Sequence, residues 1–311
     1  MTVLLPGYIL DGLPDDQQGG ALAWDSGDPD PGGLGSVRFF VPPYTTTGDD
    51  LAMMARMPAL EVVQTLTAGV DNVLGVLPQG VILCNAAGVH DASTAELAVG
   101  LTLASLRHLD QFARAMPEGS WLYDRHEALA DKRVLIVGFG AIGHAIARRL
   151  DGFECEVRAV ARSARTQDGV EVASIADLHR LLPWADVVVL IVPLTEGTKG
   201  LVDAAFLARM HDGALVVNVA RGPVVDTGAL LAECASGRLR AALDVTDPEP
   251  LPADHPLWRA PGVLISPHVG GNTSAFLPRA RRLVAGQLLR WRAGEPLANV
   301  VVGDRSPRTT R

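Results

Sequence analysis

The second half of the chain alternates between two patterns. Runs of nearly consecutive apolar residues appear in "RVLIVGFG", "CEVRAVA", "DVVVLIVP", "GALVVNVA", "RLRAALDV" and "GVLISPH". Between them lie "AIGHAIARRLDGF", "IADLHRLLPWA", "AAFLARM" and "TGALLAECASG", which are apolar at every third or fourth position. A short unbroken apolar run is a strand buried on both faces, and a period near 3.6 is a helix lying on the sheet. Their alternation predicts a doubly wound parallel sheet of the α/β class. Upstream, "STAELAVGLTLASLRHLDQFARAM" predicts one long helix over 93–116, opened by a capping signal in "STAE". Residues 1–98 carry shorter apolar runs, "RFFVPP", "LEVVQTL" and "VILCNAA", with a helical piece in "TGDDLAMMARMP", and predict a smaller α/β unit. After "GGNT" one more helix runs through "RARRLVAGQLLRWRAG", and the tail "GDRSPRTTR" is expected to be disordered.

One strand-to-helix junction carries a recognisable spacing. In "RVLIVGFGAIGHAIARRL" the glycines Gly138, Gly140 and Gly143 form G-x-G-x-x-G between an apolar strand and a helix start. That context suits a dinucleotide: Gly138 for the tight turn, Gly140 for close approach of a pyrophosphate, Gly143 for packing of the helix on the strand. The helix N-terminus, beginning at Ala141 and Ile142, faces the phosphates. The next strand decides which dinucleotide. An NAD site places a carboxylate at its end, on the ribose 2′-hydroxyl. Here the strand ends at Ala161 and is followed by Arg162, Ser163 and Arg165, while Glu156 sits at its beginning. Two guanidiniums suit a 2′-phosphate. NADP is therefore expected over NAD, with NAD left open.

Three later strand ends carry polar residues in apolar surroundings. "VARGPVVDTGALL" holds Arg221, "ALDVTDPEPLP" holds Asp244 and Glu249, and "ISPHVGG" holds His268. Singly, each has an ordinary structural reading. Together they form a chemical set, because ligands of open parallel sheets bind beyond the carboxyl ends of the strands. A carboxylate beside an imidazole favours the imidazolium, which can donate a proton near neutral pH. A guanidinium grips a carboxylate in a fork. With a nicotinamide alongside, the set suits hydride transfer to a 2-keto acid.

In order and spacing, "VGFGAIG", "VPLTEGTKGLVD", "GALVVNVARGPVVD", "ALDVTDPEPLPADHPLW" and "ISPHVGGNT" resemble the D-isomer-specific 2-hydroxyacid dehydrogenase family, over about residues 134–274. "TLTAGVDNV" and "NAAGVHDASTAELAVGLTLASLRHL" match more loosely. The resemblance implies Arg221, Glu249 and His268 as the catalytic set. It implies cofactor contacts at the glycine loop and at Pro193, Thr198, Val219, Ala220, Asp244 and Gly270, and substrate contacts at Ala68, Gly69, Arg221 and His268. It implies two Rossmann-like domains with an active-site cleft between them: 1–98 plus 282–311 for the substrate, 99–281 for the dinucleotide. It also implies a homodimer, with the helix near 95–116 in the interface, and an enzyme resembling either glyoxylate/hydroxypyruvate reductases or phosphoglycerate dehydrogenases. Thr246 departs from the pattern, standing where an aromatic residue is common.

Composition narrows the choice. The chain has 311 residues and a net charge of −8, which disfavours nucleic acid or an anionic membrane as partner. No apolar run reaches the length of a membrane span. Cys84, Cys155 and Cys234 are too scattered for a disulfide framework or a metal site, so no metal and a cytoplasmic location are expected. Residues 1–98 contain only Arg38 and Arg56 as basic residues against 12 acidic ones. This is a poor setting for a phosphorylated substrate and favours glyoxylate or hydroxypyruvate. The alternatives are an NAD-using phosphoglycerate dehydrogenase and a non-catalytic dinucleotide-sensing protein. The electrostatic set has no use in dinucleotide binding alone, which favours catalysis.

Overall fold

The structure, a computed structural model, describes residues 2–304. The chain forms two compact units, Met1–His90 with Ser274–Arg311, and Asp91–Thr273. Both boundaries fall eight residues before the expected 98/99 and 281/282. The physical reason is helix continuity. The expected cuts run through helices Asp91–Leu106 and Phe276–Ala293, and each helix stays whole with one unit.

The first unit begins with strands β1 (Thr2–Leu5), β2 (Ala21–Ala23), β3 (Val37–Phe40), β4 (Val62–Gln64) and β5 (Ile82–Cys84). They are parallel in the order β5-β4-β3-β1-β2, the doubly wound arrangement. Successive residues supply opposite faces. Val3 and Leu5 join one buried cluster with Phe39 and Trp291, whereas Leu4 joins the other with Phe40 and Met54.

The second unit holds β6 (Arg133–Val137), β7 (Glu156–Ala161), β8 (Arg165–Gln167), β9 (Val170–Ser174), β10 (Val187–Leu190), β11 (Leu215–Asn218), β12 (Arg240–Leu243) and β13 (Val263–Ile265). Their order is β13-β12-β11-β10-β6-β7-β9-β8. The strand order reverses at β6, so the crevice between the carboxyl ends of β6 and β10 is the topological switch point where such sheets bind ligands. Leu135 and Val137 face one core, Val134 and Ile136 the other, and all four are essentially inaccessible. Burial on both faces explains the unbroken apolar runs. The chain then returns to the first unit, where helix Phe276–Ala293 buries Ala280, Val284, Leu288 and Trp291 and β14 (Val300–Val302) pairs antiparallel with β5.

Several elements differ from the sequence expectation. The long helix starts at Asp91, so Ser93 and Thr94 lie buried within it and do not cap it. It ends at Leu106. His108 takes a left-handed conformation with φ 53°, which breaks the chain direction before a second helix, Leu109–Ala115. The hairpin β8–β9 and the strands β1, β2 and β14 were not anticipated. Most of the predicted disordered tail, residues 305–311, lies outside the described residues. Among the described residues no helix is long and apolar enough to cross a membrane, no cluster of metal-ligating side chains occurs, and the three cysteines are free.

Candidate active site

The glycine loop joins β6 to helix Ala141–Leu150 at the switch point. Its three glycines have different reasons to lack a side chain. Gly138 has φ 107°, and a Cβ there would lie 2.3 Å from the Ile191 carbonyl oxygen at the end of β10. A Cβ on Gly143 would lie 2.2 Å from the Gly138 oxygen. These two are demanded by the fold itself. Gly140, the helix N-cap, has φ −88° and open space where its Cβ would be. Nothing in the protein requires glycine there. The bare backbone at 140, with the unpaired first N–H groups of a ten-residue helix behind it, leaves a cradle suited to a pyrophosphate. The residues present therefore fit a dinucleotide.

Glu156 opens β7, far along the strand from its end, and bonds Arg158. No carboxylate stands at Ala161. Arg162 and Ser163 are exposed, and among the described residues Arg162 has no hydrogen-bond or ion-pair partner. Arg165 opens β8 and turns back to the glycine loop, donating from Nη2 to the Phe139 carbonyl at 2.8 Å.

The catalytic candidates gather on three loops of this same unit. Asn218, buried at the end of β11, shapes the first: its Nδ2 donates to the Arg221 carbonyl at 3.1 Å, and its Oδ1 accepts from the Ala220 N–H at 3.0 Å. Val219 and Ala220 are buried, and Arg221 itself is half-buried with Nη1 donating to the Ala220 carbonyl at 2.8 Å. Gly222 lets this loop press against the next: a Cβ there would sit 1.8 Å from the Thr246 carbonyl oxygen. Thr246 is itself buried. Its hydroxyl donates to the Pro248 carbonyl at 2.9 Å, and its N–H reaches Glu249 Oε2 at 3.4 Å. The threonine that departs from the family pattern thus braces the loop that carries Glu249.

His268 follows β13 in a left-handed conformation with φ 52°, its N–H donating to the Asp244 carbonyl at 2.7 Å. Asp244 anchors this loop from below. One carboxylate oxygen accepts from Ser266 Oγ at 2.6 Å and the Val269 N–H at 2.9 Å, and the other accepts from the Gly270 N–H at 2.9 Å. The result brings His268 Nδ1 to 2.5 Å from Glu249 Oε1. The hydrogen bond to Glu249 raises the affinity of the imidazole for its proton. Partial burial and the Arg221 charge oppose this, while the charges of Glu249 and Asp244 add to it; the balance is a pKa above the ordinary histidine value. For Glu249, burial favours the neutral acid, but His268, the Thr246 amide and Arg221 outweigh it and hold the carboxyl below its ordinary range. Both side chains remain accessible, 45% for His268 and 39% for Glu249. With Nδ1 engaged, Nε2 is the ring nitrogen left to exchange a proton with a ligand.

Arg221, Glu249 and His268 are thus brought together. Asp244 and Gly270 lie beneath them, engaged with each other. Pro193 and Thr198 close the loop after β10, where the Thr198 hydroxyl donates to the Pro193 carbonyl at 2.6 Å. Ala68 and Gly69 belong to the other compact unit, on the loop after β4. Sequence reasoning missed Asn218, Gly222, Ser266 and the β8–β9 hairpin. Of these, Asn218 had a visible signal, an amide closing an apolar strand. The hairpin did too, in "DG" between "RTQ" and "VEVAS".

Residues 99–270 match the family profile described as D-isomer specific 2-hydroxyacid dehydrogenase, NAD binding domain. The human glyoxylate reductase/hydroxypyruvate reductase is 32% identical over 289 residues, covering 88% of this chain and 88% of that protein. The D-3-phosphoglycerate dehydrogenase of Archaeoglobus fulgidus is 32% identical over 251 residues, covering 78% of this chain but 47% of that protein. A crystal structure of NADPH-dependent glyoxylate/hydroxypyruvate reductase from Sinorhizobium meliloti, in complex with NADP and sulfate, superimposes with a TM-score of 0.84 at 28% identity, covering 96% of this chain and 98% of that one.

Proposed function

The chain belongs to the D-isomer-specific 2-hydroxyacid dehydrogenase family, and from that premise we propose that it reduces a small 2-keto acid, glyoxylate or hydroxypyruvate, with NADPH. The observation that carries this reading is the His268–Glu249 contact with Arg221 in electrostatic reach of both. When bound, the nicotinamide supplies a hydride to the keto carbon. Glu249 keeps His268 protonated, and Nε2 delivers that proton to the keto oxygen. Arg221 grips the substrate carboxylate and polarises the carbonyl. The glycine loop and the head of helix Ala141–Leu150 would hold the pyrophosphate. Arg162, Ser163 and Arg165 would hold the 2′-phosphate, in keeping with the missing carboxylate at Ala161. The scarcity of basic residues in the first 98 supports a substrate without phosphate.

The proposal extends to a homodimer. Trp121 and Tyr123, 91% and 92% exposed after the helix Leu109–Ala115, support a face that a second copy covers. Light scattering at the mass of a single chain would remove that part. The reaction itself is tested by initial rates with NADPH and NADH on glyoxylate, hydroxypyruvate, pyruvate and phenylpyruvate. NADPH-preferring turnover of glyoxylate and hydroxypyruvate is expected. His268→Ala should lose at least about a hundredfold in turnover while still binding NADPH. Normal turnover in that variant would take the proton-donor role away from His268.

A further inference from the structure

The β8–β9 hairpin folds back on the glycine loop through more than Arg165. Its turn, Asp168–Gly169, has left-handed φ values of 50° and 81°, the geometry of a two-residue hairpin turn. From that turn Asp168 Oδ2 lies 2.7 Å from His144 Nε2, on the first turn of the helix that follows the glycines; the approach lacks hydrogen-bond geometry and is an ion pair when the imidazole is protonated. Phe139 lies between the two anchor points. The Arg165 guanidinium stands 5.9 Å over its ring, and the His144 ring meets it edge-on at 6.0 Å and 77°. Arg165, Phe139, His144 and Asp168 thus close a ring of side chains that ties both ends of β8 to the loop.

We propose that the His144–Asp168 contact is a latch that presets Arg165 for the 2′-phosphate, making His144 and Asp168 positioning residues for cofactor choice. The idea rests on the NADPH reading above. Arg165 is already held: Nε donates to Gln167 Oε1 at 3.0 Å, Nη1 to the Ser163 carbonyl at 3.3 Å and Nη2 to the Phe139 carbonyl at 2.8 Å. A guanidinium has five N–H groups. Three are engaged, and one on each Nη remains for a phosphate. These contacts orient the side chain only relative to its own hairpin and to Phe139. The latch holds the hairpin itself, a short exposed element that otherwise pairs with the sheet only through β9. Without it, the long, rotamer-rich arginine and the strand that carries it must be ordered when the phosphate arrives.

The sign of the effect separates this role from simple electrostatics. Asp168 is a carboxylate near the expected phosphate, so removing it should strengthen phosphate binding if charge alone governed affinity. A latch gives the opposite sign. The test is calorimetric binding of adenosine 2′,5′-bisphosphate and of adenosine 5′-monophosphate, which needs no turnover. Asp168→Ala and His144→Ala should weaken the bisphosphate by about three- to tenfold and leave the monophosphate within about twofold. Asp168→Glu, which keeps a carboxylate within reach of the imidazole, should retain more of the affinity than Asp168→Ala, and the loss in Asp168→Ala should shrink as pH rises and the imidazole is deprotonated. In an Arg165→Ala background, Asp168→Ala should add nothing. Tighter or unchanged bisphosphate binding in Asp168→Ala, with Arg165→Ala still weakening it, overturns the latch and leaves the NADPH reading standing. Equal weakening of both probes makes the contact merely structural and overturns the proposal. No effect of Arg165→Ala on the bisphosphate overturns the NADPH reading, and the latch with it.

Discussion

Replacing Gly222 by alanine would probe the packing that assembles the catalytic loops. Gly222 does not have a left-handed φ, so alanine meets no backbone restriction, and the perturbation is steric alone. The added Cβ would stand 1.8 Å from the Thr246 carbonyl oxygen and 2.8 Å from the Asp247 nitrogen, both backbone atoms that cannot rotate away. Ordinary contact begins at 3.4 Å, so the loops must part by roughly 1.6 Å along that direction. One loop carries Arg221 and the other Glu249, which receives the Thr246 N–H and holds His268. A displacement of about 1 Å at a reacting group can cost about a hundredfold in rate. Overpacking of this kind costs about 1–3 kcal/mol, a fall in Tm of several degrees for a domain of this size. The proposed turnover of glyoxylate with NADPH should therefore drop about a hundredfold, while adenosine 5′-monophosphate, which the proposal places at the glycine loop, should keep its affinity. Turnover within twofold of the parent, in a protein whose Tm has fallen, would refute the argument that this close approach sets the catalytic geometry.

In the proposed reaction reduction consumes the His268 proton, so its rate should fall as pH rises through the pKa of that imidazole. Glu249 raises that pKa, which puts the fall on the alkaline side of the ordinary histidine range. Glu249→Gln should move the fall to lower pH, and a pH–rate profile of unchanged shape would dissociate the pair from the chemistry. The glycines of the dinucleotide loop should separate stability from binding. Gly138→Ala, at φ 107° and 2.3 Å from the Ile191 carbonyl, should lower Tm markedly. Gly140→Ala, at φ −88° in open space, should leave Tm within about a degree yet weaken NADP binding measured by fluorescence quenching. Full NADP affinity in Gly140→Ala would show that no phosphate approaches residue 140.

The expectations that held concern local patterns. The apolar runs of β6, β10 and β11 and the period of helix Ala141–Leu150 are each legible because burial on one or two faces is written at fixed spacing along the chain. The candidate site residues were legible for a related reason. Arg221, Asp244, Glu249 and His268 are polar groups past the ends of buried parallel strands, each with an ordinary structural reading alone and a chemical one only as a set. What the sequence left undetermined depends on atoms brought together from afar. The long helix breaks at His108 with no glycine or proline to announce it. Asp244 reads as an open carboxylate, yet its oxygens are engaged by Ser266, Val269 and Gly270, more than twenty residues on. The His268–Glu249 bond spans 19 residues and exists because Gly222 admits one loop against another, while Asp244 anchors the loop that carries the imidazole. Periodicity and strand ends are properties of a segment and its solvent, so the sequence alone determines them. Which oxygen meets which nitrogen is a matter of tenths of an ångström, set by sheet register and backbone approach, and only the folded chain decides it.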